Sequence, residues 1–339
     1  MHRLLIILTS VLLILFASCH RVDEWGDSAQ DNFDALWTIL DTHYCFFEEK
    51  GVDWDSVYRE YQPRIKECET WIDFFDLCGE MLGELRDGHV NLASQFNTSC
   101  YKKWWSDYPQ NYDKRLVDQY YLHFDSYNRG GFEYKILDDS VGYLRYASFA
   151  VTPSDATLDY AFYILEPCKG LIIDIRDNSG GNLDNVQAIV SRFINQRVLA
   201  GYICHKTGPG HNDFSEPYAY YFDPAAAPRI RWQKPVVVLT NRSTFSAANN
   251  FVSIMRLLPQ VTTVGDRTGG GSGIPFNSEI PCGWAVRFSA SPVYDAEMNL
   301  TESGLAPDIH VDMDPEAALR GHDTILDTAI TFLLSQSSN

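Results

Sequence analysis

Residues 170–181 read GLIIDIRDNSGG, and residues 235–248 read PVVVLTNRSTFSAA. Each stretch begins with a short, continuous run of apolar residues and then enters a polar turn. Continuous apolar runs of this length are typical of strands that are buried on both faces of a sheet. Helical patterns follow at residues 186–194 and 247–258. This alternation predicts an α/β core in which helices pack on a parallel or mixed sheet.

The same alternation continues on both sides of these two stretches. Further strands are expected at residues 141–146, 261–264 and 284–288, and a further helix at 158–165. Residues 206–235 are rich in Gly and Pro, which indicates a surface flap. The core domain is therefore predicted to span residues 141–339.

Residues 20–100 are predicted to form a helical N-terminal domain. Apolar residues recur there at spacings of three and four, as on one face of an amphipathic helix; they are Phe33, Leu36, Trp37, Leu40 and Tyr44. Residues 101–140 are polar and aromatic without a clear period, and we expect an irregular connecting segment. The predicted architecture is thus mixed α/β (α+β), with a helical N-terminal domain packed on a mixed-sheet core.

The composition indicates a folded, acidic protein. Of 339 residues, 45% are hydrophobic and 14% aromatic, which is enough for a large core and unlike a disordered chain. Asp and Glu number 45 against 27 Lys and Arg, giving a net charge of −18. A chain this acidic repels phosphate backbones, so a nucleic-acid partner is not expected.

The first residues predict export. Residues 1–19 read MHRLLIILTSVLLILFASC, with one Arg before an apolar run from Leu4 to Phe16 and small residues before Cys19. This pattern resembles a bacterial lipoprotein signal. The chain would then be cleaved before Cys19, and Cys19 would be acylated. The alternative is an uncleaved helical anchor. We expect a lipid-anchored protein of the bacterial cell envelope, with the N-terminal lipid as its only membrane contact.

The remaining seven cysteines do not predict a metal site or a complete disulfide framework. An odd number cannot all pair internally, and no C-x-x-C spacing occurs. We therefore expect mostly buried thiols, and neither a metal ion nor an organic cofactor.

Four short segments carry residues that could take part in catalysis. Ser246 lies between a strand and a helix whose N-terminus offers free N–H groups, or it is only the N-cap of that helix. Gly180 and Gly181 could donate N–H groups to an oxyanion, or form a tight turn. His89 could be a general base or a structural histidine. Glu302 could orient an imidazole or be a solvated loop carboxylate.

Together and in this order, these segments resemble the C-terminal processing (tail-specific) serine peptidase family, and more closely its tricorn-protease-like branch. The resemblance rests on ELRDGHV, GYLRY, GLIIDIRDNSGG, VVVLTNRSTFSAAN, VGDRTGGG and ESGLAPDIHV. It implies that Ser246 is the nucleophile, His89 the base and Glu302 the acidic partner. It also implies an oxyanion hole made by the amides of Ala247 and of Gly180 or Gly181.

The sequence departs from the family pattern at several positions. Gly271 stands where many members have a catalytic Lys, and no Lys follows Lys234. A downstream lysine base is therefore impossible, which leaves His89. Gly88 stands where a second Ser can precede the His, Asn249 replaces a common acidic residue, and no PDZ-like segment is visible.

The resemblance implies an exported serine endopeptidase that acts on polypeptides. The rival interpretation is a binding module on the same fold that has lost catalysis and carries a peptide or a lipophilic ligand. The departures at Gly88, Asn249 and Gly271 are what keep this rival open. The oligomeric state cannot be deduced from the sequence.

Overall fold

The computed structural model of the protein describes residues 25–138 and 140–336, and the elements below are those of these residues. The helices are α1 (Ala29–His43), α2 (Phe47–Lys50), α3 (Trp54–Tyr61), α4 (Trp71–Gly83), α5 (Lys103–Ser106), α6 (Lys114–Tyr120), α7 (Asp155–Leu165), α8 (Leu183–Val190), α9 (Ala247–Met255), α10 (Pro315–Leu319) and α11 (Thr324–Gln336), with a 3₁₀ turn at Gln62–Glu67. The strands are β1 (Asn91–Ala93), β2 (Thr98–Cys100), β3 (Tyr127–Arg129), β4 (Phe132–Ile136), β5 (Gly142–Tyr146), β6 (Leu171–Asp174), β7 (Val198–Ile203), β8 (Tyr218–Phe222), β9 (Val236–Thr240), β10 (Val261–Gly265), β11 (Gly273–Glu279), β12 (Ala285–Tyr294) and β13 (Ile309–His310).

The two apolar runs quoted first form neighbouring strands near the middle of a seven-stranded sheet. Its order is β13-β10-β9-β6-β5-β4-β3, and β6 pairs with β9 in parallel. In this sheet β5, β6, β9, β10 and β13 are parallel to one another, whereas β4 and β3 are antiparallel to their neighbours. The carboxyl ends of β6 and β9 therefore lie at the same edge of the sheet, where the turns that follow them meet.

Helices cover both faces of this sheet, as the continuous apolar runs require. Leu171 and Ile173 of β6 face a cluster formed with α7, α8 and α9, while Ile172 faces α11. The predicted fold class is confirmed.

The N-terminal helices pack on a second sheet. Its order is β2-β1-β12-β7-β8, with β11 also paired to β12. Trp284, Val286 and Phe288, the last two on β12, are buried in one cluster with the apolar faces of α1, α3 and α4. Helix α4 begins at a capping box made by Thr70 and Asp73. The chain that leaves α4 is thereby brought against the core.

The interpretation of residues 101–140 as an irregular segment is wrong. They contain α5, α6, β3 and β4, and β4 pairs with β5, so the core sheet begins before residue 141. In β4, Phe132 and Tyr134 are buried while Glu133 and Lys135 alternate with them. This alternation is the ordinary sign of a half-buried strand, but it is only five residues long and lies among many other aromatics. Part of the expected flap is also regular, because β8 lies within residues 206–235.

The predicted signal segment, including Cys19, lies outside the residues that the structure describes. Within the described ranges, no helix combines the length and apolarity needed to cross a bilayer. Seven cysteines are free thiols there, three buried and four half-buried.

Candidate active site

Ser246 lies in the turn that joins β9 to α9, in a conformation that few non-glycine residues adopt. Its φ is 57° and its ψ is −120°, and its N–H donates to the Gly270 carbonyl at 2.8 Å. A left-handed φ on a serine in a strand-to-helix turn is typical of a nucleophile that is held clear of its own backbone. Although Ser246 stands at the N-cap position, its side chain makes no capping hydrogen bond. The interpretation of Ser246 as a simple helix cap is therefore wrong.

His89 lies in the turn that follows α4, and its side chain contacts that of Ser246. Its Nε2 is 3.0 Å from Ser246 Oγ. The Asp87 carboxylate accepts the His89 backbone N–H at 2.7 Å and the Tyr44 hydroxyl at 3.1 Å, which fixes the turn. The two residues that the sequence proposed as nucleophile and base are thus in hydrogen-bond contact.

The imidazole of His89 is buried, with 5% of the residue exposed. The Phe245 ring lies against it, with centroids 4.7 Å apart, and stacks on Trp104 on its other side. Burial lowers the pKa of His89 to about 4, although the Asp87 carboxylate opposes this shift. The imidazole is therefore neutral at physiological pH and able to accept a proton. Loss of hydration thus outweighs the nearby negative charge in setting the pKa of His89.

The other imidazole nitrogen faces Ser289, a residue that the sequence analysis missed. Ser289 Oγ lies 3.4 Å from His89 Nδ1, and Ser289 is fully buried on β12. The available signal was the alternation along β12, which places a serine on the face opposite to the apolar Val286 and Phe288. A side chain at position 88 would require a rearrangement, since a Cβ on Gly88 would lie 2.6 Å from Trp104 Nε1.

Glu302 is buried beside this cluster, but within the described residues it makes no hydrogen bond to His89. Its Oε1 accepts from Lys50 Nζ at 2.8 Å, and its Oε2 accepts the Ser272 N–H at 2.8 Å. Burial and the Asp87 charge raise the pKa of Glu302 to about 7, while Lys50 opposes the shift. The prediction that Glu302 holds the imidazole directly is therefore corrected: its direct partners are Lys50 and Ser272.

Glu302 instead binds the glycine-rich segment that contacts Ser246. Its side chain binds the Ser272 N–H, and its backbone carbonyl accepts the Gly271 N–H at 3.2 Å. The neighbouring Gly270 carbonyl binds Ser246 N–H. A Cβ on Gly271 would lie 2.4 Å from the Phe245 ring, so a lysine does not fit there without rearrangement.

The glycines after β6 and the first residue of α9 carry the N–H groups that the resemblance assigned to an oxyanion hole. Gly180 N–H donates to Asn178 Oδ1 at 2.9 Å, so it is already used. The N–H groups of Gly181 and Ala247 have no acceptor among the described residues, and both residues line the cavity beside Ser246. A Cβ on Gly180 would lie 2.9 Å from Ser246 Cβ, which explains the glycine there. Of the two alternatives, the geometry favours Gly181 together with Ala247.

The two turns at this edge of the sheet are tied to each other. Phe245 N–H donates to the Asn178 carbonyl at 3.0 Å, and Asn241 exchanges two side-chain hydrogen bonds with Asp177. The end of β6 is anchored by Arg176, whose buried guanidinium binds Asp174 and Asp323. These bonds fix the Gly180–Gly181 turn relative to Ser246.

A cavity of about 230 Å³ opens beside Ser246. Leu183, Ile274, Pro275 and Val293 supply apolar lining, and Arg287 alone among the lining residues is charged. Asn249 also lines it, but its amide is occupied by hydrogen bonds to Thr301 and Thr268.

One group in the described part of the chain has side chains close enough to hold a metal ion: Asp266, His310 and Asp312. Arg242 Nε already binds Asp266 Oδ2 at 2.9 Å, and the other two residues are exposed. None of the three contacts Ser246 or His89.

Comparisons with known proteins agree with this geometry. The model of Peptidase family S41 matches residues 140–311, and that of the Tricorn protease C1 domain matches residues 27–83. A crystal structure from Parabacteroides merdae, described as that of a candidate peptidase, is 50% identical, with a TM-score of 0.87 over 91% of this chain and 98% of that chain.

Two curated relatives are more distant. A protein of Sulfurisphaera tokodaii named as a tricorn-like protease C-terminal subunit is 28% identical over 50% of this chain and 18% of its own length. A carboxy-terminal-processing protease of Bartonella bacilliformis is 28% identical over 57% of this chain and 44% of its own length. The match therefore spans less than half the length of either relative.

Proposed function

The chain belongs to peptidase family S41 and is a serine-type peptidase, and we propose that it is an endopeptidase that cleaves polypeptides with Ser246 as its nucleophile. The observation that carries this proposal is the 3.0 Å contact between Ser246 Oγ and the neutral His89 Nε2. The strained φ of Ser246 and the two unused N–H groups beside it support the same assignment. No observation favours the alternative of a binding module without catalysis.

In the first half-reaction, His89 Nε2 takes the hydroxyl proton as Ser246 Oγ attacks the peptide carbonyl carbon. The carbonyl π bond opens, and its oxygen takes the negative charge. The Gly181 and Ala247 N–H groups donate to this oxyanion. The tetrahedral intermediate collapses when the imidazolium gives its proton to the departing amide nitrogen, which leaves as an amine and leaves an ester on Ser246.

In the second half-reaction, water takes the place of the amine. His89 removes a proton from the water as it attacks the ester carbonyl, and the same two N–H groups stabilise the second oxyanion. Collapse returns the proton to Ser246 Oγ and releases the new carboxyl terminus. Within this scheme Ser289 keeps the proton of His89 on Nδ1, so that Nε2 stays the acceptor.

Glu302 enters the proposal as a positioning residue. By holding the Ser272 and Gly271 N–H groups it fixes the Gly270 carbonyl, which in turn holds Ser246 N–H. The carboxylate with which His89 interacts electrostatically is that of Asp87.

The test is hydrolysis of unfolded casein and of internally quenched peptides by the purified protein. Ser246→Ala should lower the rate by several orders of magnitude, since such sites keep only about 10³–10⁴-fold catalysis without their nucleophile. Ser243→Ala is the matched control, because this serine lies in the same turn and its side chain makes no hydrogen bond with any described residue. Equal rates for Ser246→Ala and wild type would refute the proposal.

We further propose that the protein is exported and anchored by lipid on Cys19, on the basis of the sequence pattern of residues 1–19. Cys19→Ala should then move the protein from the membrane fraction to the soluble fraction, or leave an unprocessed precursor. Mass spectrometry of the wild-type N-terminus separates the two interpretations: a processed lipoprotein begins at an acylated Cys19, whereas an uncleaved anchor keeps Met1 and fractionates as Cys19→Ala does.

A further inference from the structure

We propose that Arg287 binds a carboxylate of the substrate within about two residues of the bond that Ser246 attacks, so that the site prefers acidic polypeptides. This inference rests on the proposed peptidase function, because it concerns the substrate of the same site. Unpaired arginines are ordinary on protein surfaces, and what distinguishes Arg287 is its position in the cavity beside Ser246.

Strand β12 places Arg287 on the catalytic side of its sheet. Side chains alternate along a strand, and Val286 and Phe288 are buried in the N-terminal apolar cluster. Arg287 and Ser289 therefore share the opposite face, and on that face Ser289 contacts His89 Nδ1 at 3.4 Å. Two strand residues span about 7 Å, close to the length of two residues of an extended substrate.

Arg287 also has no competing partner. Its side chain makes neither an ion pair nor a hydrogen bond with any residue that the structure describes, although acidic residues outnumber basic ones by 45 to 27 in this protein. It lines the cavity next to Ser246 and is the one charged residue that does so. The guanidinium thus places a positive charge beside Ser246 and is able to form a two-pronged hydrogen bond with a carboxylate.

The cavity fits the rest of such a side chain. Leu183, Ile274, Pro275 and Val293 offer apolar contacts for an aliphatic stem, while Arg287 meets its charged end. At about 230 Å³ the cavity lies below the usual ~300–1,000 Å³ of pockets for whole small ligands, and so suits one side chain or a chain end.

The test measures binding and cleavage separately. The probes are fluorescein-labelled, C-amidated decapeptides of Ala and Leu with one central Glu, Gln or Lys, and a truncated Ala–Leu peptide ending in either a free carboxylate or an amide. Binding to Ser246→Ala is followed by anisotropy, so it does not depend on catalysis. Cleavage by the protein with Ser246 intact is followed on the same peptides, and the ratio of rates for Glu and Gln cancels any effect of Arg287 on His89.

We expect the Glu peptide to bind about fivefold more tightly than the Gln peptide, the upper part of the range for an exposed ion pair, because Arg287 is exposed. Arg287→Gln should bring this ratio to about one, and Arg287→Glu should favour the Lys peptide, a reversal that a merely structural role would not produce. Arg256→Gln removes the same charge from an exposed site outside the cavity and should leave the ratio unchanged. The truncated peptides, with a free carboxylate or an amide at the end, show whether Arg287 prefers the carboxylate of a side chain or that of a chain terminus.

A ratio near one in the protein with Arg287, or an unchanged ratio in Arg287→Gln, overturns the inference, as does failure of every peptide to bind. Failure of the proposed function gives a different result, in which no peptide is cut while the Glu peptide still binds preferentially.

Discussion

The acid limb of the pH–rate profile should lie near pH 4, well below the value of about 6.5 for an ordinary histidine. The proposed mechanism requires neutral His89, and burial makes protonation of this imidazole unfavourable. At pH 5.5 an imidazole with a pKa of about 4 is neutral in about 97% of molecules, against about 10% for one with a pKa of 6.5. Nearly full activity at pH 5.5 is therefore the expected result.

Removal of the ring that covers the imidazole should move this limb upwards. Phe245→Ala takes away the side chain whose centroid lies 4.7 Å from that of His89 and admits water beside the imidazole. The limb should then shift towards pH 6.5, whatever happens to the maximal rate. Phe251→Ala is the matched control, because Phe251 is also buried, in α9, but packs on Phe149.

The assay is kcat/KM against pH for a capped peptide without ionisable groups, since this quantity reports the ionisations of the free enzyme. Circular dichroism at each pH, and recovery of activity after return to pH 7.5, separate titration from unfolding. A wild-type limb at pH 6.5 or above would refute the reasoning, as would equal shifts in the two phenylalanine variants.

Three further predictions concern the same cluster. First, His89 and Glu302 should change the free energy of unfolding with pH in opposite directions. The depressed pKa of His89 removes about 3 kcal/mol of stability as the pH falls from 6.5 to 4. The raised pKa of Glu302 removes a similar amount as the pH rises from 4.5 to 7. Urea unfolding should therefore show that, relative to wild type, His89→Gln gains stability on acidification and Glu302→Gln loses it, and parallel pH curves would contradict this. Second, Glu302→Gln should lower kcat by up to about tenfold without moving the acid limb, because Gln still accepts the Ser272 N–H but loses the ion pair with Lys50; a displaced limb would show that Glu302 acts on His89. Third, His89→Ala should be nearly as damaging as Ser246→Ala, and the double variant scarcely worse, because the two residues act as one unit; multiplicative losses in kcat/KM would show that they act independently.

The strands that position the site were predictable because they are buried on both faces. The continuous apolar runs of β6 and β9 are typical of strands in the middle of a sheet that is covered on both faces. The short strand β4 was missed, since five alternating residues among many aromatics give too little periodicity.

The site itself was only partly predictable from local sequence. His89 and Ser246 are 157 residues apart, and each has an ordinary structural alternative, so their pairing came from the resemblance to a family. That resemblance also suggested Glu302 as the partner of the imidazole. The side chain of Glu302 instead binds Lys50, which is 252 residues away on the four-residue helix α2. No local pattern in the sequence indicates this contact. Long-range contacts between buried charges depend on the tertiary fold.

The unfavourable backbone of the site explains why residues that do not touch the reacting atoms still matter. Ser246 and Asp177 both have a left-handed φ, at 57° and 59°, and such residues persist only where their surroundings hold them. The bonds that hold Ser246 come from other segments: the Gly270 carbonyl binds its N–H, and Asn178 binds the N–H of the residue before it. Because Glu302 anchors the first of these segments, it can position Ser246, the proposed nucleophile, without a hydrogen bond to the imidazole.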